Sequence, residues 1–224
     1  MMLSQVHSLT IALTMTILLT TLIQCTNSFG RPKIVASSGV KQLIHSIRQH
    51  SSSSSDVDSS RIATDVQYMR LALRHAQFAF REKEVPIGAI LVDGNGTVLS
   101  SARNSVERTK DASAHAEMTC VRKAASLGDN WRLRDCTLYT TLEPCPMCMG
   151  ALQAFRVQRV VFGARDPRLG AAGSFVDLTI AHPFHNLQVT GGVLEEESST
   201  LLTRFFQIRR REASGSSTMD KEGD

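Results

Sequence analysis

The chain has 224 residues, 42% of them hydrophobic and 21% charged, a composition that excludes collagen-like, coiled-coil and multi-span membrane classes. That length suits one domain with an appendage, not two domains that each bury a full core. The net charge of +4 is an N-terminal property: residues 1–55 hold Arg31, Lys33, Lys41 and Arg48 and no acid, leaving 21 basic and 21 acidic residues beyond them. Any polyanion must therefore be held by a local patch.

From Leu9 to Ile23 the chain is uncharged and mostly apolar, too short for a bilayer span of about 20 residues. It reads as a signal-peptide core, with Thr26 and Ser28 as the small residues before a cut ahead of Phe29. A membrane anchor is the alternative, because no positive charge precedes the core. Phe29 to His50 is basic, Ser-containing and acid-free, as transit peptides are. The pair resembles the bipartite presequence of plastid proteins in algae with complex plastids; a mitochondrial presequence is the alternative. Ser51 to Ser55, with Ser59 and Ser60, reads as a linker. The expected division is a targeting presequence and linker over 1–60, a folded domain over 61–212 and a disordered tail over 213–224.

Within the body, Thr64 and Gln67 suggest a capping box for a first helix with apolar Val66, Met69, Leu73, Ala76 and Phe80. Pro86 ends it. Ile87 to Val92 is an apolar strand, and Asp93-Gly94-Asn95-Gly96 is a hairpin signal that returns the chain along Thr97 to Ala102. After a polar loop, Arg103 to Ser113, a second helix runs from near His115 to Leu127 and stops at Gly128. Thr137 to Leu142 is a strand, Pro146 to Phe155 a helix and Arg159 to Gly163 a strand, implying a parallel pair with a right-handed crossover. A short strand near Leu187 to Val189 and a last helix from Leu194 complete the set. The sum is an α/β fold, a three-layer α/β/α sandwich around a mixed five-stranded sheet.

The chemistry lies at two helix starts. Cys145 and Cys148 are three apart and share one face of a turn. With Pro146 in the first helical position, both thiols sit where backbone N–H groups favour thiolate. Two thiolates and the imidazole of His115 suit Zn²⁺ and leave a tetrahedral ion one open position. Cys120 lies five residues from His115, roughly 140° around the helix, and Cys136 precedes a strand; both are expected to pack. The odd cysteine set, Cys25 included, argues against a disulfide scaffold. Glu117 shares no helix face with His115, so the two converge only beyond the helix N-terminus, where a carboxylate can move protons for an activated water. The structural alternative is a zinc knuckle with Glu117 as a first-turn acid. The pairing of His-x-Glu with Pro-Cys-x-x-Cys, the signature of zinc nucleobase deaminases, favours catalysis.

The segments Glu84-Val85-Pro86-Ile87-Gly88-Ala89, Ala114-His115-Ala116-Glu117, Thr141-Leu142-Glu143-Pro144-Cys145, Val160-Val161-Phe162-Gly163-Ala164-Arg165-Asp166 and Gly170-Ala171-Ala172-Gly173-Ser174 resemble the bacterial-type tRNA adenosine deaminases (TadA) from about Thr64 to Glu212. The resemblance implies a cytidine deaminase-like fold and a homodimer that converts adenosine to inosine at the wobble base of a tRNA anticodon loop, usually of an arginine tRNA. By position it makes His115, Cys145 and Cys148 the zinc ligands and Glu117 the proton shuttle. Asn104 would contact the flipped nucleotide, Ile87 would form a pocket wall and Asp166 would lie beside a neighbouring ribose. Where the family reads Asn-His, this chain has Phe184-His185-Asn186, so no contact is assigned there.

With a neutral body, RNA binding is expected from Arg156, Arg159, Arg165 and Arg168, and from Arg209, Arg210 and Arg211 at the end of the last helix. The latter trio also suits the helix dipole. Phe205 and Phe206 read mainly as core, one of them being a candidate stacking platform. A guanine or cytosine deaminase, or a non-enzymatic zinc-stabilised RNA-binding subunit, are the alternative functions. After presequence removal no membrane association is expected, and the expected location is the plastid.

Overall fold

A computed structural model describes residues 38–180, 182, 183 and 185–216. The presequence reading over residues 1–37, Cys25 included, lies outside the described residues, as do Phe184 and residues 217–224. The chain divides into two compact units, Met1–Ser53 and Ser54–Asp224, and the sheet belongs to the second.

Helix α1 spans Ser38–Arg81, so the expected start at Thr64 is corrected. Thr64 does not cap; its Oγ1 donates to Ser60 O at 2.9 Å, one turn back. No Gly or Pro occurs between residues 40 and 85, and serine disfavours helix only mildly. The strands follow as β1 (Gly88–Val92), β2 (Val98–Arg103), β3 (Thr137–Leu142), β4 (Arg159–Ala164) and β5 (Gln188–Thr190). Interleaved are a one-turn helix α2 (Val106–Thr109) inside the expected polar loop, then α3 (Ala116–Leu127), α4 (Pro146–Ala154) and α5 (Glu195–Ser216). Helix α5 passes the boundary expected at Glu212, because Arg211, Glu212 and Ala213 all favour helix.

The sheet order is β2-β1-β3-β4-β5. β1 pairs antiparallel with β2 and β3, while β3–β4 and β4–β5 are parallel, giving the mixed sheet that the sequence predicts. In the hairpin turn Asp93 Oδ1 accepts from the N–H of Asn95 and Thr97, and Gly96 takes φ +84°.

Every β1 residue is buried, as a strand covered on both faces must be. Ala89 and Leu91 join one cluster with Cys120, Val121, Met149 and Leu152. Ile90 and Val92 join another with Met69, Ala72, Tyr139 and Val161. The alternation puts α3 and α4 over one face and α1 over the other, while α5 packs on β4 and β3. Gly88 permits the crossing of α1 over β1: a Cβ there would run into Ala72 O, Ala76 N and the His75 side chain.

Candidate active site

Two helices begin at the same place. α3 is preceded by His115 in extended conformation, with Glu117 in its first turn. α4 is preceded by extended Cys145, with Pro146 at its start and Cys148 one turn in. Both N-termini leave unpaired N–H groups and positive dipole ends facing the same point. His115 Nδ1 lies 3.7 Å from Cys145 Sγ and 3.5 Å from Cys148 Sγ, and the two sulfurs are 3.6 Å apart. Zinc at about 2.3 Å from sulfur and about 2.0–2.1 Å from nitrogen has ligands about 3.5–3.8 Å apart in a tetrahedron, so the donor set fits. These residues form a three-donor cluster without a fourth His, Cys, Asp or Glu among the described residues. Cys120 is buried and bonded with Ser100, and Cys136 is buried as a free thiol, so both pack as expected.

The Cys145 thiol is pulled down to about 4 by the hydrogen bond from Cys148, against burial and with help from His115. That same bond, with burial, pushes Cys148 up. The His115 imidazole is raised by its bond to Cys145. Glu117 is 3% exposed, and its Oε2 is a buried oxygen with no hydrogen-bond partner. Burial pushes its carboxyl up to about 7.

The site opens into a cavity of about 630 Å³. Of the residues expected at the site, Ile87, Asn104, His115, Glu117, Cys145, Arg165, Asp166 and Arg210 all line it. Asn104 donates its N–H to the O of Ile87, the residue before β1, at 2.9 Å. Arg168 lines the cavity with its side chain 80% exposed.

The expectation for Arg159 is corrected, and the other arginines and the two phenylalanines divide by position. Arg209 does not line this cavity; it faces a shallow groove with Glu212 and lies 3.5 Å from that carboxylate. Arg159 is buried against Asp65, because the strand that carries it runs through the core. Arg156 points to His182, at 3.0 Å. Phe205 is core, with its ring 5.8 Å from that of Phe80. By contrast, Phe206 lines the cavity. His185 is held by Val157 O at 2.6 Å and, like Asn186, does not line it.

Two carboxylates of the cavity wall carry roles that sequence reasoning missed. Glu84 is 1% exposed and accepts from Asn104 Nδ2 at 3.2 Å and from the N–H groups of Glu107 and Arg108 at 3.3 and 2.7 Å. It thereby caps α2, whose own Ser105 makes no side-chain cap. Glu143 is 2% exposed. Burial pushes it up, yet hydrogen bonds from Ser174, Asp166 and Ala172 hold it below the usual carboxylate range. The available signal for Glu143 was an acid set between Leu142 and Pro144, whereas Glu84 closes the charged run Arg81-Glu82-Lys83-Glu84 and gave none.

Residues 62–164 match the family described as the cytidine and deoxycytidylate deaminase zinc-binding region. The chain is also 45% identical over 148 residues to the tRNA-specific adenosine deaminase of Bacillus subtilis, covering 66% of this chain and 91% of that protein. This chain belongs to the tRNA-specific adenosine deaminase family. Another relative of this deaminase, the chloroplastic tRNA(adenine(34)) deaminase of Arabidopsis thaliana, is 41% identical over 170 residues. The match covers 68% of this chain and 13% of that longer protein. A solved structure from work on A-to-I editing by tRNA:A34 deaminases superposes with a TM-score of 0.58 at 39% identity, over 61% of this chain and 99% of that one. The deaminase thus has the cytidine deaminase-like fold, and its family region is a zinc-binding one.

Proposed function

We propose that this chain is a zinc-dependent hydrolase that converts adenosine to inosine at the anticodon wobble position of a tRNA, with release of ammonia. The carrying observation is the unpartnered buried oxygen of Glu117 beside the three-donor cluster, at the floor of a cavity with basic residues on its wall. The names of the Bacillus and Arabidopsis relatives support the substrate.

In this reading His115, Cys145 and Cys148 hold the ion. Zinc there supplies Lewis acidity that brings the pKa of a coordinated water to about 7. Glu117, whose buried carboxyl is raised by desolvation, is placed to exchange protons with that water. It takes one proton from the attacking water and delivers it to N1 of the adenine. It then carries the proton of the new C6 hydroxyl to the exocyclic amine, which leaves as ammonia. The α3 and α4 N-termini stabilise negative charge that develops at the reacting centre. Ile87 and Asn104 hold the base, and Asp166 the neighbouring ribose. A stacked base cannot enter such a cavity, so the target is a splayed loop nucleotide. Arg165 and Arg210 on the wall, with Arg209 outside it, meet the RNA backbone.

We also read the enzyme as a homodimer acting on an arginine tRNA of a plastid, with residues 61–212 as the deaminase domain. The presequence pattern and the chloroplastic relative support that location. Among the described residues no helix is long and apolar enough to cross a membrane. The test is inosine formation in an anticodon stem-loop beside ammonia release from free guanine, cytosine and adenine. Release from a free base without inosine in the stem-loop overturns the RNA reading. A fluorescent fusion of residues 1–60 tests the address, and retention in the secretory pathway overturns it.

A further inference from the structure

We infer that Glu143 is a positioning residue: its buried carboxylate is the post around which the cavity-lining loop 165–174 is wound, and it sets how that loop meets a polynucleotide. This rests on the RNA reading above. Oε1 accepts the N–H groups of Ala172 and Ser174 at 2.9 and 3.1 Å, and Oε2 accepts that of Asp166 at 3.1 Å. These bonds grip the loop at both ends. Between them lie Pro167, Arg168 and Leu169, which line the cavity together with Asp166 and the preceding Arg165.

The post itself is fixed. Glu143 N–H donates to Ala164 O at 2.8 Å, and Ala171 N–H donates to Pro144 O at 2.8 Å. The segment that holds the loop therefore continues directly into Cys145, so loop and metal donors share one support. Gly170 shows how tightly the backbone wraps: a Cβ there would overlap the Glu143 carboxyl and Asp166 O. Apart from Glu143, the loop is held by Ala171 N–H to Pro144 O, by Leu178 N–H to Ala171 O, by turns of its own at Asp166 and Gly170, and by the bridge of Ala172 with Asp177. A charge buried to this degree persists only because it is hydrogen-bonded, and charge-assisted bonds are the stronger kind. Glu143 is outside the three-donor cluster, and both oxygens are engaged by the loop. Its action on the reaction is therefore indirect.

Glu143→Gln preserves size but sets an amide NH₂ against backbone N–H donors. In the zinc-loaded full chain it should raise KM for the anticodon stem-loop about tenfold, the order expected from one lost charged hydrogen bond, with kcat within about threefold. It should also accelerate tryptic cleavage after Arg165 and Arg168 and strip hydrogen-exchange protection from the amides of Asp166, Ala172 and Ser174. Gly170→Ala disturbs the same wrap from the loop side and should reproduce the KM rise and the cleavage. Persistent protection of those amides in both variants overturns the inference, as does a fall in kcat with KM unchanged. Exchange and proteolysis need no substrate, so a wild-type chain inactive on RNA would sink the RNA reading while leaving the loop test standing.

Discussion

The guanidinium of Arg159 meets the carboxylate of Asp65 in two hydrogen bonds of 2.8 and 2.6 Å, although the residues are 94 positions apart. Tyr139 donates a third bond to Asp65 at 3.0 Å, and Arg159 donates another to Thr190. The pair stitches α1 to β3, β4 and β5 in a buried setting. Arg159→Leu should leave Asp65 charged and unpaired, costing about 3–5 kcal/mol. Urea unfolding measures that loss. RNA affinity below the melting temperature should be unchanged, and a selective loss of affinity would restore Arg159 as an RNA contact.

Glu117→Gln should lower kcat by about 10²–10⁴-fold, the usual contribution of a general acid–base group, while zinc stays stoichiometric. Metal analysis of the purified variant beside single-turnover assays checks this. A variant that loses its metal would make Glu117 a ligand or support.

Cys148→Ser should lose zinc and activity together, since its thiol is one of only three donors within reach of one another among the described residues. Cys120→Ser, whose site already bonds Ser100, should retain stoichiometric zinc. Chelation of the wild type should abolish activity, and added zinc should restore it.

Arg210 lines the cavity and Arg209 does not. Arg210→Gln should therefore weaken stem-loop binding more than Arg209→Gln. It should also lower the salt slope by about 0.7 if it neutralises one single-stranded phosphate. Binding titrations across a range of salt concentration decide it, and equal effects would mean the arginines act as a diffuse charge.

Much of the fold is legible because its signals are local. Pro146 and Cys145 mark one helix start, Gly128 a helix end, and Asp93 to Gly96 a turn, each through backbone geometry that neighbouring residues impose. β1 and β4 announce themselves as buried runs because strands covered on both faces leave no polar alternation, whereas β2 is legible mainly from the turn before it. The start of α1 is not legible in this way: serine disfavours helix only mildly, and nothing between residues 40 and 85 forbids it. Nor is the fate of Arg159 visible in its own neighbourhood, where Arg156, Arg165 and Arg168 make it look like part of a basic patch.

The sequence by itself determined the chemistry, since metal-binding donor types and a nearby acid at helix-start spacing are properties of short segments. Only the tertiary structure decided which charges serve the site and which serve the core. Arg159 and Arg210, or Glu143 and Glu117, are alike in chemistry and differ only in what surrounds them. Burial and hydrogen-bond partners come from segments distant along the chain, and these surroundings bind the Glu143 carboxylate to three backbone N–H groups and leave one oxygen of Glu117 without a hydrogen-bond partner.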